Sequence, residues 1–153
     1  MAAMRSILHP TDFSPASTPA FRKALELAKA LRGQLALVHI LSPVVIPVMG
    51  AETYIPAAMY DEIERTARDA AGRHLKRLAA RARQAGVRTS TRLIDGVPVA
   101  ERIVRAARAQ RADMIVMGTH GRTGVTRLVL GSVASRVVAT ASCPVLTVRS
   151  GPK

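Results

Sequence analysis

The stretch SILHPTDFSPASTPAFRKALELAKALRGQLALVHIL, Ser6 to Leu41, decides the fold. Its ends are two short apolar runs: SILH, which stops at Pro10, and QLALVHIL, bounded by Gly33 and Pro43. Both read as buried strands. Between them Phe21, Leu25, Ala28 and Leu31 recur at helical spacing, with Ser14 placed to cap the start and Gly33 to end it. A strand, a helix and a strand in succession predict two parallel strands joined by a right-handed crossover.

The alternation continues along the chain. SPVVIPVMGAETYIP, with three prolines, one glycine and no clear period, reads as a surface loop from Ser42 to Pro56. A long helix follows, from about Ala58 to Ala85. Asp61, Glu62 and Glu64 lie in its first turns and Lys76, Arg77, Arg81 and Arg83 in its last, which complements the helix dipole, and Gly86 is its stop. VRTSTRLID reads as a less buried strand, and Gly96 turns the chain into PVAERIVRAARAQ with Pro98 in a first helical turn. MIVMG after Asp113 is apolar throughout, as suits a strand buried on both faces. A last helix from about Ser132 to Ala141 sets Val133, Val137 and Val138 on one side, and PVLTV closes the chain as a fifth strand. The expected class is α/β: a doubly wound five-stranded parallel sheet in the order 3-2-1-4-5, helices on both faces, in one domain spanning 1–153.

With 153 residues, 48% hydrophobic and 22% charged, the chain is suited to a packed core rather than to disorder. No run of eighteen apolar residues suggests a membrane span, and MAAMRSILHPTD reaches a proline and an aspartate too early for a signal peptide, so the cytosol is the expected compartment. Cys143 is the single cysteine; it excludes an internal disulfide and a cysteine-based zinc site, and reads as a packing residue. The formal charge of +13 favours anionic partners without naming one. Much of the excess lies in RTARDAAGRHLKRLAARARQAGVR, which reads first as a solvated helix face. Nucleic-acid binding is the other reading, weakened by two Phe, two Tyr and no Trp for base stacking.

In a sheet of this order ligands bind beyond the carboxyl ends of the strands, where the winding reverses between the first and the fourth. The loops meeting there are HPTDFS and GTHGRTG. Gly118, Gly121, Gly131 and Ser132 form the pattern G-x2-G-x9-G-S. Glycine lets backbone approach a ligand closely, and the first amides of a helix attract phosphate oxygens. Gly131-Ser132 taken alone is an ordinary helix start. There is no Walker lysine and no G-x-G, which excludes those two phosphate sites.

As a set, ILHPTDFS, LALVHI, ADMIVMGTHGRTG and LVLGSVASRVVATASCPVLTVR resemble the universal stress protein family in its ATP-binding branch, over nearly the whole chain. The resemblance implies that Pro10, Thr11 and Asp12 lie against the nucleoside and that adenine is met by backbone at Ile40. It implies that Met117, Gly118, Thr119, His120, Gly121, Arg122, Thr123 and Gly124 pass along ribose and phosphates, and that Ser132, Val133 and Ala134 complete the site with Gly131. Arg122 and Arg127 either meet a β- or γ-phosphate or face solvent. Asp12 has three readings: a water-mediated magnesium ligand, a partner of a sugar hydroxyl, or a helix-entry cap. The loop from Ser42 to Pro56 and the basic charge lie outside the shared signature.

His9, His39, His74 and His120 show no metal-ligand spacing, and no direct metal ligand is expected. A phosphate cradle without a dedicated lysine or an evident general base implies slow ATP turnover or none, and no catalytic residue is assigned. G-x-S-x-G is absent, which argues against a serine hydrolase. The resemblance implies a regulatory ATP-binding module in stress response. A slow ATPase or phosphotransferase, and a basic nucleic-acid binder, are the alternatives. It also implies a homodimer paired through the C-terminal strand, which as an edge strand carries unpaired backbone groups.

Overall fold

The computed structural model describes residues 4–45, 55–120 and 130–150. Most of the Ser42–Pro56 loop, and Gly121, Arg122, Thr123, Gly124 and Arg127, lie outside the described residues.

The elements follow the expected alternation: β1 (Ser6–Pro10), a 3-10 turn (Pro15–Ser17), α1 (Thr18–Ala30), β2 (Gln34–Leu41), α2 (Ala57–Gln84), β3 (Arg88–Asp95), α3 (Val99–Ala109), β4 (Met114–Gly118), α4 (Ser132–Thr140) and β5 (Val145–Val148). The five strands are all parallel, in the order β3-β2-β1-β4-β5. Right-handed crossovers then put α1 and α2 on one face and α3 and α4 on the other.

Successive residues of each central strand feed opposite faces, so two cores form. Leu8, Val38, Ile40, Ile115 and Met117 pack under α3 and α4 with Ile103 and Val137. Ile7, Leu35, Leu37 and Val116 pack under α1 and α2 with Phe21 and Leu75. α2 lays down a stripe of Ala71, Leu75, Ala79 and Ala82 at three- and four-residue spacing while its other faces stay exposed. β4 is buried on both sides, as its apolar run requires.

Several local expectations are corrected. Ser14 is not a side-chain cap: its hydroxyl donates to Asp12 Oδ1 at 2.6 Å, and the residue preceding α1 is Ser17. α1 ends through Arg32, not Gly33. Arg32 takes the left-handed conformation (φ 50), while Gly33 donates to the Ala28 carbonyl at 2.8 Å. Arg111 (φ 49) ends α3 in the same manner, whereas Gly86 (φ +85) stops α2 as expected. Leu31 is 38% exposed because the helix has already ended, and Val138 is 48% exposed because it sits 100° round α4 from the buried Val137. Pro98 is the N-cap of α3, following a cis peptide bond from Val97.

Asp113 ties β1 to β4 where the two strands begin. Its Oδ2 accepts the Arg5 and Ser6 amides at 2.8 Å each, and its own amide donates to the Ser6 carbonyl at 2.7 Å. Asp113→Ala leaves the exposed Arg5 amide and the part-buried Ser6 amide without their acceptor and should cost about 1 kcal/mol. A urea midpoint unchanged from the parent protein would refute that assignment.

Candidate functional site

The site begins where β1 and β4 part. Their pairing is limited to Ile7 with Met114 and Leu8 with Ile115. One residue on, the fork is bridged by a side chain: His9 Nδ1–H donates to the Val116 carbonyl at 2.8 Å. His9 is fully buried, and burial holds its imidazole pKa down at about 4 against the opposing pull of the Val116 carbonyl and the Asp12 charge. The ring is therefore neutral and spaces the two strands. The sequence placed His9 near a strand end; its role at the fork depends on a pairing that stops after two residues.

Beyond the fork, β1 yields to the loop Pro10–Phe13. Pro10 and Thr11 are buried and Asp12 is half-buried. Asp12 Oδ1 accepts the Ser14 amide at 2.9 Å as well as the Ser14 hydroxyl, an Asx turn that precedes the 3-10 turn without capping it or α1. The Thr11 amide donates to the Val38 carbonyl at 2.9 Å, and its own carbonyl accepts His39 Nδ1–H at 2.8 Å. The Thr11 hydroxyl contacts Ser17 Oγ at 3.3 Å and accepts the Phe13 amide at 3.1 Å, so it points to the α1 and α2 side.

β2 runs past β1. The register of β1 with β2 ends at Pro10 with Val38, while β2 continues to Leu41 beside β3. In a parallel strand alternate residues direct amide and carbonyl to the same neighbour. Val38 bonds toward β1, so Ile40 directs its backbone groups to that side too, where β1 has ended. Ile40 thus offers a backbone edge at the mouth of the crevice.

The opposite wall is β4 with its exit. Met117 is buried and Gly118 half-buried; Thr119 donates its amide to the Val148 carbonyl at 3.1 Å. Thr119 Oγ1 lies 3.0 Å from His120 Nδ1, and His120 Nε2 is buried with no hydrogen-bond partner among the described residues. The Gly131 amide donates to the Thr119 carbonyl at 2.8 Å, which closes the excursion between β4 and α4. A Cβ on Gly131 would stand 2.9 Å from the Thr119 oxygen, so only glycine permits this approach. A Cβ on Gly118 would touch the Ala16 and His120 carbonyl oxygens, each at 3.4 Å.

Gly131 is the N-cap of α4 and has no side chain to satisfy its first amides; helical bonding starts with the Ser135 amide on the Gly131 carbonyl at 2.8 Å. The amides of Ser132, Val133 and Ala134 precede that bond, with the exposed Ser132 hydroxyl beside them. This end of α4 suits an anion. No group of three or more His, Cys, Asp and Glu able to hold a metal occurs among the described residues.

The Universal stress protein family model matches residues 4–149, nearly the whole chain. The chain belongs to the universal stress protein family. This universal stress protein is 36% identical over 152 residues to the universal stress protein MJ0531 of Methanocaldococcus jannaschii, covering 97% of this chain and 84% of that one. A crystal structure of a universal stress protein family member from Burkholderia pseudomallei is 33% identical, with a TM-score of 0.72 over 98% of this chain and 100% of that one. A universal stress protein from Archaeoglobus fulgidus in complex with dAMP shares the fold at 24% identity and a TM-score of 0.62, over 97% and 100% of the two chains. No helix among the described residues is long and apolar enough to cross a membrane.

Proposed function

We propose that the crevice between β1 and β4 binds ATP and that the protein acts as a nucleotide-dependent regulatory module in the cytoplasm, with slow hydrolysis or none. The observation that carries this reading is the pairing of an uncapped α4 start, at Gly131 and Ser132, with the backbone edge of Ile40 across the fork. The first suits phosphate and the second suits a base edge. The dAMP bound by the Archaeoglobus fulgidus relative supports the nucleotide class.

In this reading Pro10, Thr11, Asp12 and Ile40 surround the nucleoside, Met117 to Gly124 follow the ribose and phosphates, and Ser132, Val133 and Ala134 hold the phosphates through amides and a hydroxyl. Magnesium would enter with the phosphates as their counter-ion. The absence of a Walker lysine from the sequence supports slow turnover or none. β5 at the sheet edge is the surface for pairing two copies.

The test is calorimetric titration of ATP with magnesium into nucleotide-stripped protein, beside Gly118→Val and Ser132→Ala. Saturable binding should weaken about tenfold in Ser132→Ala, the effect of losing one charge-assisted hydrogen bond, and vanish in Gly118→Val with each variant still folded. Absence of heat together with no ATP-dependent rise in melting temperature would overturn the proposal.

A further inference from the structure

On the other face of the sheet, between the start of α1 and the middle of α2, lies a second concavity of about 240 Å3. Phe13, Phe21 and Leu78 supply apolar wall, Ser14 and Thr18 supply hydroxyls, and Arg77 and Arg81 stand at its rim from successive turns of α2. It shares only Thr11 and the adjoining loop with the crevice described above.

Two features set it apart from ordinary surface. The first is charge without a counter-charge: Arg77 and Arg81 are like charges four residues apart, a spacing that repels. The described ion pairs are Lys23–Glu26, Arg68–Asp95 and Arg136–Glu101, and neither rim arginine is among them. Arg77 uses one N–H on His74 Nδ1 at 2.9 Å, and the Arg81 guanidinium lies over the Phe21 ring at 5.4 Å. With five N–H donors on each guanidinium, most remain for a ligand. The second is a strained aromatic. Phe13 is held in the left-handed region (φ 62), stacked between His39 at 4.4 Å and His74 at 4.8 Å, which sets its ring as a fixed wall.

We propose that this cavity binds a small organic anion with a flat apolar body, an aromatic carboxylate in chemical class. Arg77 and Arg81 take the carboxylate, and the ring lies against Phe13, Phe21 and Leu78. Bare phosphate would leave those apolar walls wet, and a neutral ring would gain nothing from the two guanidiniums. The space equals about eight waters of liquid volume, enough for a benzoate-sized molecule.

The experiment is a fluorine NMR titration of 4-fluorobenzoate into the whole protein, with amide shifts of Phe13 and Thr18 followed in parallel. Saturable binding is expected, with shifts at those two amides. It should weaken at least about tenfold, the effect of a lost carboxylate contact, in the Arg77→Gln/Arg81→Gln double variant. Both arginines are exposed, so the fold is retained. Arg73→Gln, which removes an equal charge from an exposed site on the same helix outside the cavity, should leave affinity within about twofold. Equal binding by the double variant, equal binding of neutral 4-fluorobenzyl alcohol, or no saturation would overturn the proposal. Displacement by ATP would also overturn it, by placing the anion in the other crevice.

Discussion

Below pH 6.5 the fold should lose stability progressively, by roughly 3 kcal/mol once the pH has reached 4, through His9 alone. The folded imidazole is held at about 4, chiefly by burial, against the ordinary 6.5 of an unfolded histidine. Above 6.5 both states are neutral and His9 contributes no pH dependence. Between 6.5 and 4 only the unfolded state takes up the proton, so acidification favours unfolding, and below 4 the full penalty applies. The geometry gives the reason: Nδ1–H is committed to the Val116 carbonyl, while Nε2 is buried without a partner, so a proton added there would meet no acceptor among the described residues. Urea unfolding of the parent protein and of His9→Asn from pH 4 to 8 provides the check. The variant should be less stable at pH 7 by about 2 kcal/mol, through lost packing, and its acid limb should be flatter by close to one proton. Parallel limbs in the two proteins would refute the assignment.

Gly33→Ala should destabilise by about 3 kcal/mol, the upper end of ordinary overpacking. A Cβ built on Gly33 overlaps the Arg5 carbonyl oxygen, a backbone atom that cannot swing away, and the same oxygen accepts the Gln34 amide at 2.6 Å as β2 begins. Relief of the overlap must part β1 from β2 at their first rung. Gly72→Ala, in the interior of α2, should do the reverse and stabilise by about 1 kcal/mol, since nothing lies within 4 Å of its added Cβ and alanine is the better helix former. Thermal melts of the two variants should move in opposite directions. An unshifted melt for Gly33→Ala would mean that β1 and β2 tolerate separation there.

A glycine after an apolar helix period, Gly33, marks the end of α1 in sequence, but the helix stops at Ala30 and the left-handed residue that closes it is Arg32. Why glycine is required is a matter of which strand lies beside it: Arg5, far away in the chain, occupies the space of its missing side chain. Meanwhile Arg32 and Arg111 adopt left-handed conformations with nothing in their own chemistry to announce it. Their helices close by backbone hydrogen bonds, from Gly33 to Ala28 and from Ala112 to Ala107, strong enough to hold a non-glycine residue in place.

The candidate site divides in a comparable way. Gly118, Gly131 and Ser132 were legible because a helix start and a close backbone approach leave marks in residue type. The rim of the second cavity was not. Arg77 and Arg81 occurred in a run of basic residues that reads as solvated surface, and only the packing of α2 against Phe13 and Phe21 distinguishes them from Arg73 or Arg83.

By itself the sequence determined the alternation of five strands with four α-helices and the parallel sheet they form. Hydrophobic period and chain connectivity are local quantities, and the handedness of crossovers turns them into topology. Tertiary structure alone decided that β1 and β4 part after two pairs, that His9 bridges the gap, that Ile40 extends past the end of β1 and that the Thr11 hydroxyl turns toward α1. Those outcomes depend on register and on which strand stops first, and both are set by packing between residues far apart in the chain.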